Sequence, residues 1–328
     1  MELPEIKKKL LLLLADGEFH SGTELAANLG VSRSAVWKQL QKLPELGVDI
    51  AAVSGKGYRL EKAIDWLDAM LIEQALSETS RALLAELEIH QSITSTNSHL
   101  MARAQDHAAS GTVCLAEYQA AGRGRRGREW ISPLGGNISM SILWRFQQGP
   151  AVLSGLSLAA GVAAIRALQS LDIKGLGLKW PNDIYWQGKK LGGILVEVAG
   201  EANGPCSVVL GIGLNVYLSE REAQNITQAW VDLQGILNGA APPRNRLAAA
   251  LLDELLPVLA GYEKRGLQHY LQEWRSYDCM SGRSVTLHLG QNSITGVVYG
   301  IDADGMLLLK HEDGSIQVFT SGEVSFNG

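Results

Sequence analysis

The sequence predicts a multidomain α+β protein with three successive regions. The first sixty residues combine three short helices with a hairpin, the middle alternates helices with strands, and the residues from Asp278 onward form short strands separated by turns. With 328 residues, of which 46% are hydrophobic and 19% charged, the chain is long enough to bury more than one core. We place the domains at 1–62, 63–276 and 277–328.

The first region has the pattern of a winged helix-turn-helix. A helix is predicted at 5–15, a capping box beginning at Ser21 starts a second helix, and Gly30 ends that helix. Ser32 caps a third helix, and the alternating segment 48–60 predicts a hairpin wing. The apolar stripe of the third helix consists of Val36, Leu40 and Leu43. This order of elements is typical of DNA-binding domains.

The local charge of this region favours a duplex partner. The net charge of the whole chain is −5, but from Val31 to Lys62 six Lys and Arg residues stand against three Asp and Glu. We expect DNA contacts from Arg33, Ser34, Lys38, Gln41 and Lys56. Trp37 either packs in the domain core or contacts the sugar-phosphate backbone, and we favour core packing. A protein-interaction module whose charges are only solvated is the alternative.

The middle region has the pattern of an α/β domain. Its predicted helices lie near 68–84, 95–108 and 151–170, and its predicted strands near 112–118, 136–144, 191–198 and 206–212. The segment 94–97, Thr-Ser-Thr-Asn, precedes a helix. Its side chains serve either as helix caps or as donors to a ligand, and the two roles are compatible.

The run GRGRRGR at 122–128 formally matches the glycine pattern of dinucleotide-binding proteins. That pattern opens directly into a helix and has small residues between its glycines, whereas this run contains arginines and is followed by Glu-Trp-Ile-Ser-Pro. Arginines on a glycine-rich backbone are typical of a flexible loop that folds guanidinium groups around phosphate and carboxylate oxygens. We therefore predict an anion-binding loop.

Three further motifs have residues suited to turns or to close approach of a ligand. KWPND at 179–183 places proline and Asn182 in a turn between extended segments. GKKLGGILVE at 188–197 contains a glycine pair that lets a ligand approach the backbone, with Lys190 able to reach the same oxygens as the arginines. GIGLNV at 211–216 ends a hydrophobic strand and contains two glycines and one asparagine. These motifs predict one ligand-binding surface.

Neither a resident metal nor a membrane anchor is expected. The three cysteines, Cys114, Cys206 and Cys279, lie far apart, and no histidine pair or histidine–cysteine cluster has the spacing of a metal site. The longest apolar run, Leu10–Ala15, is far shorter than the roughly 20 residues of a membrane span. We expect a cytoplasmic protein whose metal arrives with its substrate.

The C-terminal part is predicted to contain a long helical stretch and then a small β-barrel. Residues 244–276 have a helical pattern with a kink at Pro257. Beyond Asp278, short alternating strands are separated by turns at 290–292, 302–305 and 312–315.

The four middle motifs, in this order and behind a winged helix, resemble the biotin protein ligases of the repressor-bearing bacterial type. The resemblance covers essentially the whole chain. It implies a central α/β catalytic domain like those of class II aminoacyl-tRNA synthetases and biotin ligases, and an SH3-like C-terminal barrel. Lipoate ligases share the central fold but use a different Arg-Arg and triple-glycine segment, which this sequence lacks.

The resemblance also implies an activity and partners. Members of the family activate biotin with ATP, which carries Mg²⁺, to biotinyl-5′-AMP. They then transfer biotin to one lysine of the biotin carboxyl carrier protein of acetyl-CoA carboxylase. The adenylate-bound homodimer binds operator DNA and represses transcription of the biotin biosynthesis genes.

The resemblance assigns site residues by their positions in the motifs. Biotin binding is assigned to Ser95, Thr96, Asn97, Gln119, Gly122, Arg123, Arg125, Lys190, Gly193 and Gly211. ATP or adenylate binding is assigned to Arg125, Arg128, Trp130, Asn182, Asp183, Lys190, Asn215 and Trp230. The catalytic candidates are Arg125, Lys190 and Asp183. For Asp183, a role as a simple turn residue is the alternative.

Two other classes of function stay open. A ligand-sensing repressor without catalysis needs the winged helix and a pocket, but not the arginine loop, Lys190 and Asp183 together. A lipoate-type acyltransferase keeps the adenylation chemistry with a narrower acyl pocket. Transfer of biotin to a carrier lysine separates these classes from a biotin ligase.

Overall fold

The computed structural model describes residues 3–201, 204–224 and 226–327. The N-terminal part contains α1 (Glu5–Leu14), α2 (Gly22–Leu29), α3 (Arg33–Leu40) and an antiparallel hairpin of β1 (Ile50–Val53) and β2 (Gly57–Leu60). This is the winged helix that the sequence predicts.

Local capping explains where these helices begin. The Ser21 side chain accepts a hydrogen bond from the Glu24 amide in a capping box, and the Ser32 side chain accepts one from the Ala35 amide. Val36 is wholly buried, but Trp37 is 52% exposed. The assignment of Trp37 to the core is wrong, because Val36 occupies the inward face of α3 and its neighbour along the helix points away.

The central part is built on a seven-stranded sheet. Its elements are α4 (Ala69–Ala75), α5 (Glu78–Leu83), β3 (Glu86–His90), α6 (Thr96–Gln105), β4 (Thr112–Ala116), β5 (Asn137–Phe146), α7 (Leu156–Gln169), β6 (Leu176–Lys179), β7 (Asp183–Trp186), β8 (Lys189–Gly200), β9 (Cys206–Asn215), α8 (Glu220–Ala223), α9 (Leu233–Ile236), α10 (Arg244–Arg265) and α11 (Gln268–Tyr277). The strand order is β3-β4-β5-β9-β8-β7-β6. Only the β3–β4 pair is parallel among these described strands.

Three details of this region differ from the sequence prediction. The helix predicted at 68–84 is two helices, and β3 was not predicted. The helix predicted at 244–276 breaks at Gly266, while α10 runs through Pro257. Gly266 has a positive φ of 59°, a conformation that glycine adopts without steric cost.

Helices cover both faces of the sheet. On one face α7, α10 and α11 pack on a large core that includes Val113 and Leu115 of β4. On the other face α6 packs on β4, β5 and β9, around a smaller core that includes Cys114. Alternate residues of β4 therefore belong to different cores, as the pleat of a strand requires.

One segment among the described residues, Pro150–Gln169, is long and apolar enough to cross a membrane by length and composition. The sequence analysis predicted a helix near 151–170 but did not consider it as a membrane span. Within the protein, 67% of its most apolar window is buried. Its helical part, α7, packs against α10 and the central sheet, as the core helix of a globular domain does.

The C-terminal part is a small antiparallel β domain. Its strands are β10 (Ser284–Leu289), β11 (Asn292–Ile301), β12 (Leu307–Lys310), β13 (Ile316–Phe319) and β14 (Glu323–Phe326). They are arranged in the order β13-β12-β11-β10-β14. The indole of Trp180 donates a 2.9 Å hydrogen bond to the carbonyl of Gly305, which joins this domain to the KWPND turn.

The winged helix is attached to the central domain by buried contacts. Leu134 lies in the core of the winged helix, and its amide donates to the carbonyl of Leu46 at 2.9 Å. Beside it, Arg244 and Glu117 form an ion pair of 2.6 Å whose side chains are only 3% and 2% exposed. The same arginine donates to the carbonyl of Asp65, so the segment that follows the hairpin is held in place.

Candidate active site

Two adjoining cavities lie between the central sheet and the C-terminal domain. The first is lined by the first turn of α6, the arginine loop (residues 122–128), the KWPND turn, β8, β9 and residues 322–324. The second is lined by β8, residues 226–230 and 323–326. Both cavities share a wall that includes Arg128, Trp130, Lys179 and Lys190.

Most of the predicted site residues line these cavities. The first cavity has Ser95, Thr96, Asn97, Gln119, Arg123, Arg125, Arg128, Trp130, Asn182, Asp183, Lys190, Gly193 and Gly211 on its wall. The second has Arg128, Trp130, Lys190, Asn215 and Trp230. Gly122 lies just behind the wall, where its backbone carbonyl accepts from the Trp130 amide at 2.8 Å. Motifs that are far apart in the chain thus meet at one place.

The first turn of α6 presents a buried polar network to the first cavity. Ser95 is the N-cap of α6. The amide of Thr96 donates to Oε1 of Gln119 at 2.9 Å, and Nδ2 of Asn97 donates to Glu197 at 2.8 Å. The cap role and the ligand-facing position therefore coexist in this segment, because a helix N-terminus directs both backbone and side-chain polar groups outward.

Ser141 belongs to this network and was missed by the sequence analysis. Its Oγ donates to Oδ1 of Asn97 at 2.6 Å and lies 2.7 Å from Oγ1 of Thr96. A signal was available in β5, where polar Asn137, Ser139 and Ser141 alternate with apolar residues. In a strand that is buried on both faces, such alternation indicates one polar and one apolar face.

Two glycines of β9 are required by the crowding at the cavity wall. A Cβ atom at Gly211 would lie 2.1 Å from Oδ1 of Asn97, and one at Gly213 would lie 2.4 Å from the ring of Trp130. Backbone at these positions is therefore part of the wall itself. The strand predicted to lie near a ligand thus lines the first cavity.

The arginine loop contains a short turn at Arg125–Gly127 and contacts the opposite walls of the cleft. Nη1 of Arg125 donates to Oδ1 of Asn182 at 3.4 Å, and Arg123 donates to Glu197 at 3.3 Å. Burial lowers the pKa of Arg125, although its guanidinium remains charged at neutral pH. A half-buried cation of this kind gains from an anionic ligand.

The same loop also contacts the C-terminal domain. Arg128 forms an ion pair with Glu323, and Arg126 donates to the carbonyl of His288 at 3.2 Å. Sequence reasoning did not predict that residues 322–324 would line the cavity, because nothing near Glu323 marks it as part of a site. The C-terminal domain forms one wall of the cleft.

A close ion pair joins the KWPND and KKLGG motifs. Nζ of Lys190 lies 2.8 Å from Oδ1 of Asp183, with side chains 15% and 16% exposed. Antiparallel pairing of β7 with β8 sets Asp183 opposite Gly193, which leaves room for the lysine to reach back. The ammonium also lies 5.9 Å from the Trp130 ring.

Lys179, the first residue of KWPND, is a further cation of the site that the sequence analysis did not assign. It lines both cavities and donates to the hydroxyl of Tyr185 at 3.2 Å. Burial lowers the pKa of Lys179, because a charged ammonium loses hydration there. Its position as the first residue of the KWPND motif could have indicated that it belongs to the site.

Aromatic and amide side chains surround the second cavity. Nδ2 of Asn215 donates to the carbonyl of Val231 at 3.1 Å. Trp230 is held beside β8 because Lys190 exchanges backbone hydrogen bonds with Ala229 and Val231. Trp130 separates the two cavities, and its indole Nε1 is buried with no hydrogen-bond partner among the described residues.

The predicted DNA-contact residues lie elsewhere, on the winged helix. Arg33, Ser34, Lys38 and Gln41 are exposed on or beside α3, and Lys56 is exposed in the turn of the hairpin. A shallow groove between α2 and the hairpin is lined by Arg33 and Lys56. None of the five lines the two cavities described above.

Comparison with known families matches each part of the chain. Residues 89–215 match the Biotin/lipoate A/B protein ligase family, residues 6–59 an HTH domain, and residues 280–327 the Biotin protein ligase C terminal domain. The chain is 43% identical to the Bifunctional ligase/repressor BirA of Escherichia coli (strain K12) over 317 residues, which cover 97% of this chain and 96% of the relative. The chain belongs to the biotin protein ligase family.

Other members of this ligase family support the same placement. The Biotin--[acetyl-CoA-carboxylase] ligase of Mycobacterium tuberculosis is 37% identical over 245 residues, covering 73% of this chain and 88% of the relative. The structure of the biotin protein ligase from Aquifex aeolicus in complex with biotin and ATP aligns with a TM-score of 0.63 and 28% identity. It covers 74% of this chain and 99% of that chain. The resemblance and the three-part fold class inferred from the motifs are confirmed.

Proposed function

We propose that this protein is a biotin–protein ligase that also acts as a transcriptional repressor. It activates biotin with ATP to biotinyl-5′-AMP and transfers biotin to a lysine of a biotin carboxyl carrier protein. The observation that carries the proposal is the convergence of Arg125, Lys190 and Asp183 on one cleft beside a buried polar network. A sensor of biotin alone does not need this set of charges.

The first cavity suits biotin. The ureido group of biotin has amide donors and a carbonyl acceptor, and the network of Ser95, Thr96, Asn97 and Gln119 offers both kinds of partner. Gly193 and Gly211 contribute backbone to the wall of this cavity, and Gly122 lies just behind that wall. We assign Arg123 and Arg125 of the arginine loop to the carboxylate end of biotin.

Adenylate formation brings two anions together. A carboxylate oxygen of biotin attacks the α-phosphorus of ATP, the new bond forms an acyl phosphate, and pyrophosphate leaves. Cations that are already in place offset the charge that builds up in this step. Arg125 and Lys190 are placed for that role, and Lys179 adds a third positive group at the same wall. Mg²⁺ enters as part of the Mg–ATP substrate.

The second cavity suits the adenosine end. Trp230 offers an aromatic face for the adenine ring, and Asn215 and Arg128 offer polar contacts. Trp130 lines both cavities and Asn182 lines the first, and we assign both to the adenylate. An extended adenylate would then span both cavities.

Transfer to the carrier needs an uncharged amine. The acceptor lysine has an ordinary pKa of about 10.4, so it must lose a proton before it attacks the acyl carbonyl and AMP leaves. We assign Asp183 to accept or relay that proton, since its carboxylate lines the first cavity and is held by Lys190. This role is preferred to that of a simple turn residue because of the ion pair.

The remaining parts of the proposal concern regulation and organisation. The exposed polar face formed by Arg33, Ser34, Lys38, Gln41 and Lys56 supports operator binding. We further propose that the adenylate-bound form is a homodimer that occupies operator DNA, and that the protein works in the cytoplasm without a membrane partner. The domains divide at 62/63 and 276/277.

One experiment separates the three classes of function. The protein is incubated with biotin, Mg–ATP and a biotin carboxyl carrier domain, and the carrier is examined by mass spectrometry. A mass increase of one biotin on one lysine supports the ligase. Binding of biotin without transfer overturns the proposal in favour of a sensor. Transfer of lipoate in preference to biotin overturns it in favour of the lipoate-type enzyme.

A further inference from the structure

A cluster of three metal-ligating side chains lies outside the proposed catalytic cleft. One nitrogen from each of His90 and His99 and the sulfur of Cys114 lie within 4.8 Å of one another. They belong to β3, α6 and β4, so the sequence places them apart and only the fold brings them together. The cluster is on the face of the sheet that α6 covers.

Two imidazole nitrogens and one sulfur are suitable ligands for a thiophilic divalent cation. Imidazole and thiolate are the ligands that Zn²⁺ takes most often in proteins, at about 2.0–2.3 Å. Cys114 is fully buried, whereas the side chains of His90 and His99 are 30% and 25% exposed. The cluster therefore has a buried anchor and a side that solvent can reach.

A carboxylate orients both histidines. Glu88 Oε2 accepts from Nε2 of His90 at 3.1 Å and from Nε2 of His99 at 2.6 Å. This arrangement favours the tautomer in which Nδ1 of each ring carries the lone pair. Metal-bound histidines in proteins are usually held by a carboxylate in this way. Arg103, the nearby cation, is already paired with Glu86 and Glu88.

We propose that His90, His99 and Cys114 form a binding site for one Zn²⁺ ion, with Glu88 as the carboxylate that positions both imidazoles. Binding releases the thiol proton of Cys114 to solvent and forms one metal–sulfur and two metal–nitrogen bonds. Burial raises the pKa of the free thiol, so the site carries a neutral thiol until the cation enters.

Helix α6 connects the proposed metal site to the catalytic cleft. His99 lies on α6 one turn after Ser95, the N-cap of the helix whose first residues line the first cavity. A cation bridging β3, β4 and α6 would fix that helix against the sheet. The inference does not depend on the reaction in the cleft, because metal binding is measured without substrates.

Titration of the full-length, chelator-treated protein with Co²⁺, a spectroscopic substitute for Zn²⁺, tests the proposal. We expect one equivalent to bind and to produce a thiolate-to-cobalt absorption band, which Zn²⁺ then removes by displacement. Cys114→Ser should abolish the band, and Glu88→Gln should weaken binding by about 10–100-fold. Cys206→Ser is the matched control, since Cys206 is also buried but lies outside the cluster, and it should retain the band.

His99→Gln provides a second test if Cys114→Ser does not fold, because His99 is partly exposed. It should lower Co²⁺ affinity at least tenfold while circular dichroism shows a folded protein. Absence of the thiolate band from the wild-type protein overturns the proposal. So does a band that persists unchanged in His99→Gln and Cys114→Ser.

Discussion

Nζ of Lys190 lies 2.8 Å from Oδ1 of Asp183, and both side chains are mostly buried at the wall of the first cavity. Each group therefore neutralises the other before substrate enters. An anionic substrate gives the lysine a second partner, while the carboxylate stays in place to meet an incoming amine. Substituting Lys190 and Asp183 one at a time separates these two roles.

Lys190→Gln should slow formation of the adenylate by about 10²–10³-fold, because one preorganised positive charge is lost from the transition state. Pyrophosphate release in the absence of carrier measures this step. Lys189→Gln is the matched control, since Lys189 is the adjacent residue in β8 and is exposed. Equal rates for Lys190→Gln and Lys189→Gln would contradict the assignment.

Asp183→Asn should impair transfer more than activation, because the amide cannot accept a proton from the acceptor lysine. The measurement is a single turnover of preformed, enzyme-bound adenylate with carrier protein, across a range of pH. We expect a loss of about 10²–10⁴-fold that shrinks at high pH, where more of the lysine is already uncharged. Asp172→Asn, at an exposed turn, should behave as wild type. A pH-independent loss would point to a structural role.

Arg125→Gly should leave the fold intact and release the adenylate early, because the guanidinium that donates to Asn182 from the arginine loop is lost. The off-rate of labelled adenylate and biotinylation of unrelated bystander proteins should both rise. Arg126→Gly distinguishes this effect from simple loosening of the loop, since Arg126 has a φ of 55° and donates to His288 instead. An adenylate off-rate that does not change in Arg125→Gly would refute the prediction.

Trp37→Ala should weaken binding to duplex DNA without harming the winged helix, because Trp37 is 52% exposed beside the predicted DNA-contact residues. The free energy of unfolding should change by less than about 0.5 kcal/mol, whereas Val36→Ala, at the buried neighbour, should cost roughly 1–3 kcal/mol. Fluorescence anisotropy of a labelled duplex measures affinity. The slope of the logarithm of affinity against the logarithm of salt concentration should become smaller by about one in Lys38→Gln. It should stay unchanged in Trp37→Ala.

His20→Gln should destabilise the winged helix more at low pH than at high pH. The hydrogen bond to Glu24, together with the pairing with Asp16, raises the pKa of His20 above its ordinary value of 6.5. The stabilisation is therefore present in full below pH 6.5 and disappears as pH rises through the folded-state pKa. The difference in melting temperature between wild type and variant should be larger at about pH 6 than at about pH 8.5. A difference that grows with pH would contradict this sign.

Much of the fold was open to prediction because its signals are local. The caps at Ser21 and Ser32 and the hairpin turn near Lys56 depend on a few neighbouring residues, and the structure contains them. Strand β3 was missed although Glu86–His90 alternates polar and apolar residues, with Leu87 and Ile89 packed against the core. This alternation is a local signal of a half-buried strand, but the segment is short and lies at the sheet edge.

The motifs assigned to the site are short runs in which charged residues and glycines are concentrated. The arginine loop, KWPND, KKLGG and GIGLNV all reach the two cavities. Ser141 and Glu323 were missed because neither belongs to a motif with a recognisable chemistry. Their contribution depends on which strands lie beside them and not on their immediate neighbours.

The family, the three-part architecture and most of the charged residues that line the cleft, Lys179 and Glu323 excepted, could be read from the sequence, because glycine, proline and arginine motifs impose local geometry and chemistry. The fold adds the pairing of Lys190 with Asp183, the wall of the cleft that the C-terminal domain forms, and the outward position of Trp37. It also brings together His90, His99 and Cys114, which are far apart in the sequence. The physical reason is that contacts between distant segments are set by sheet register and helix packing, which sum many weak interactions across the whole domain.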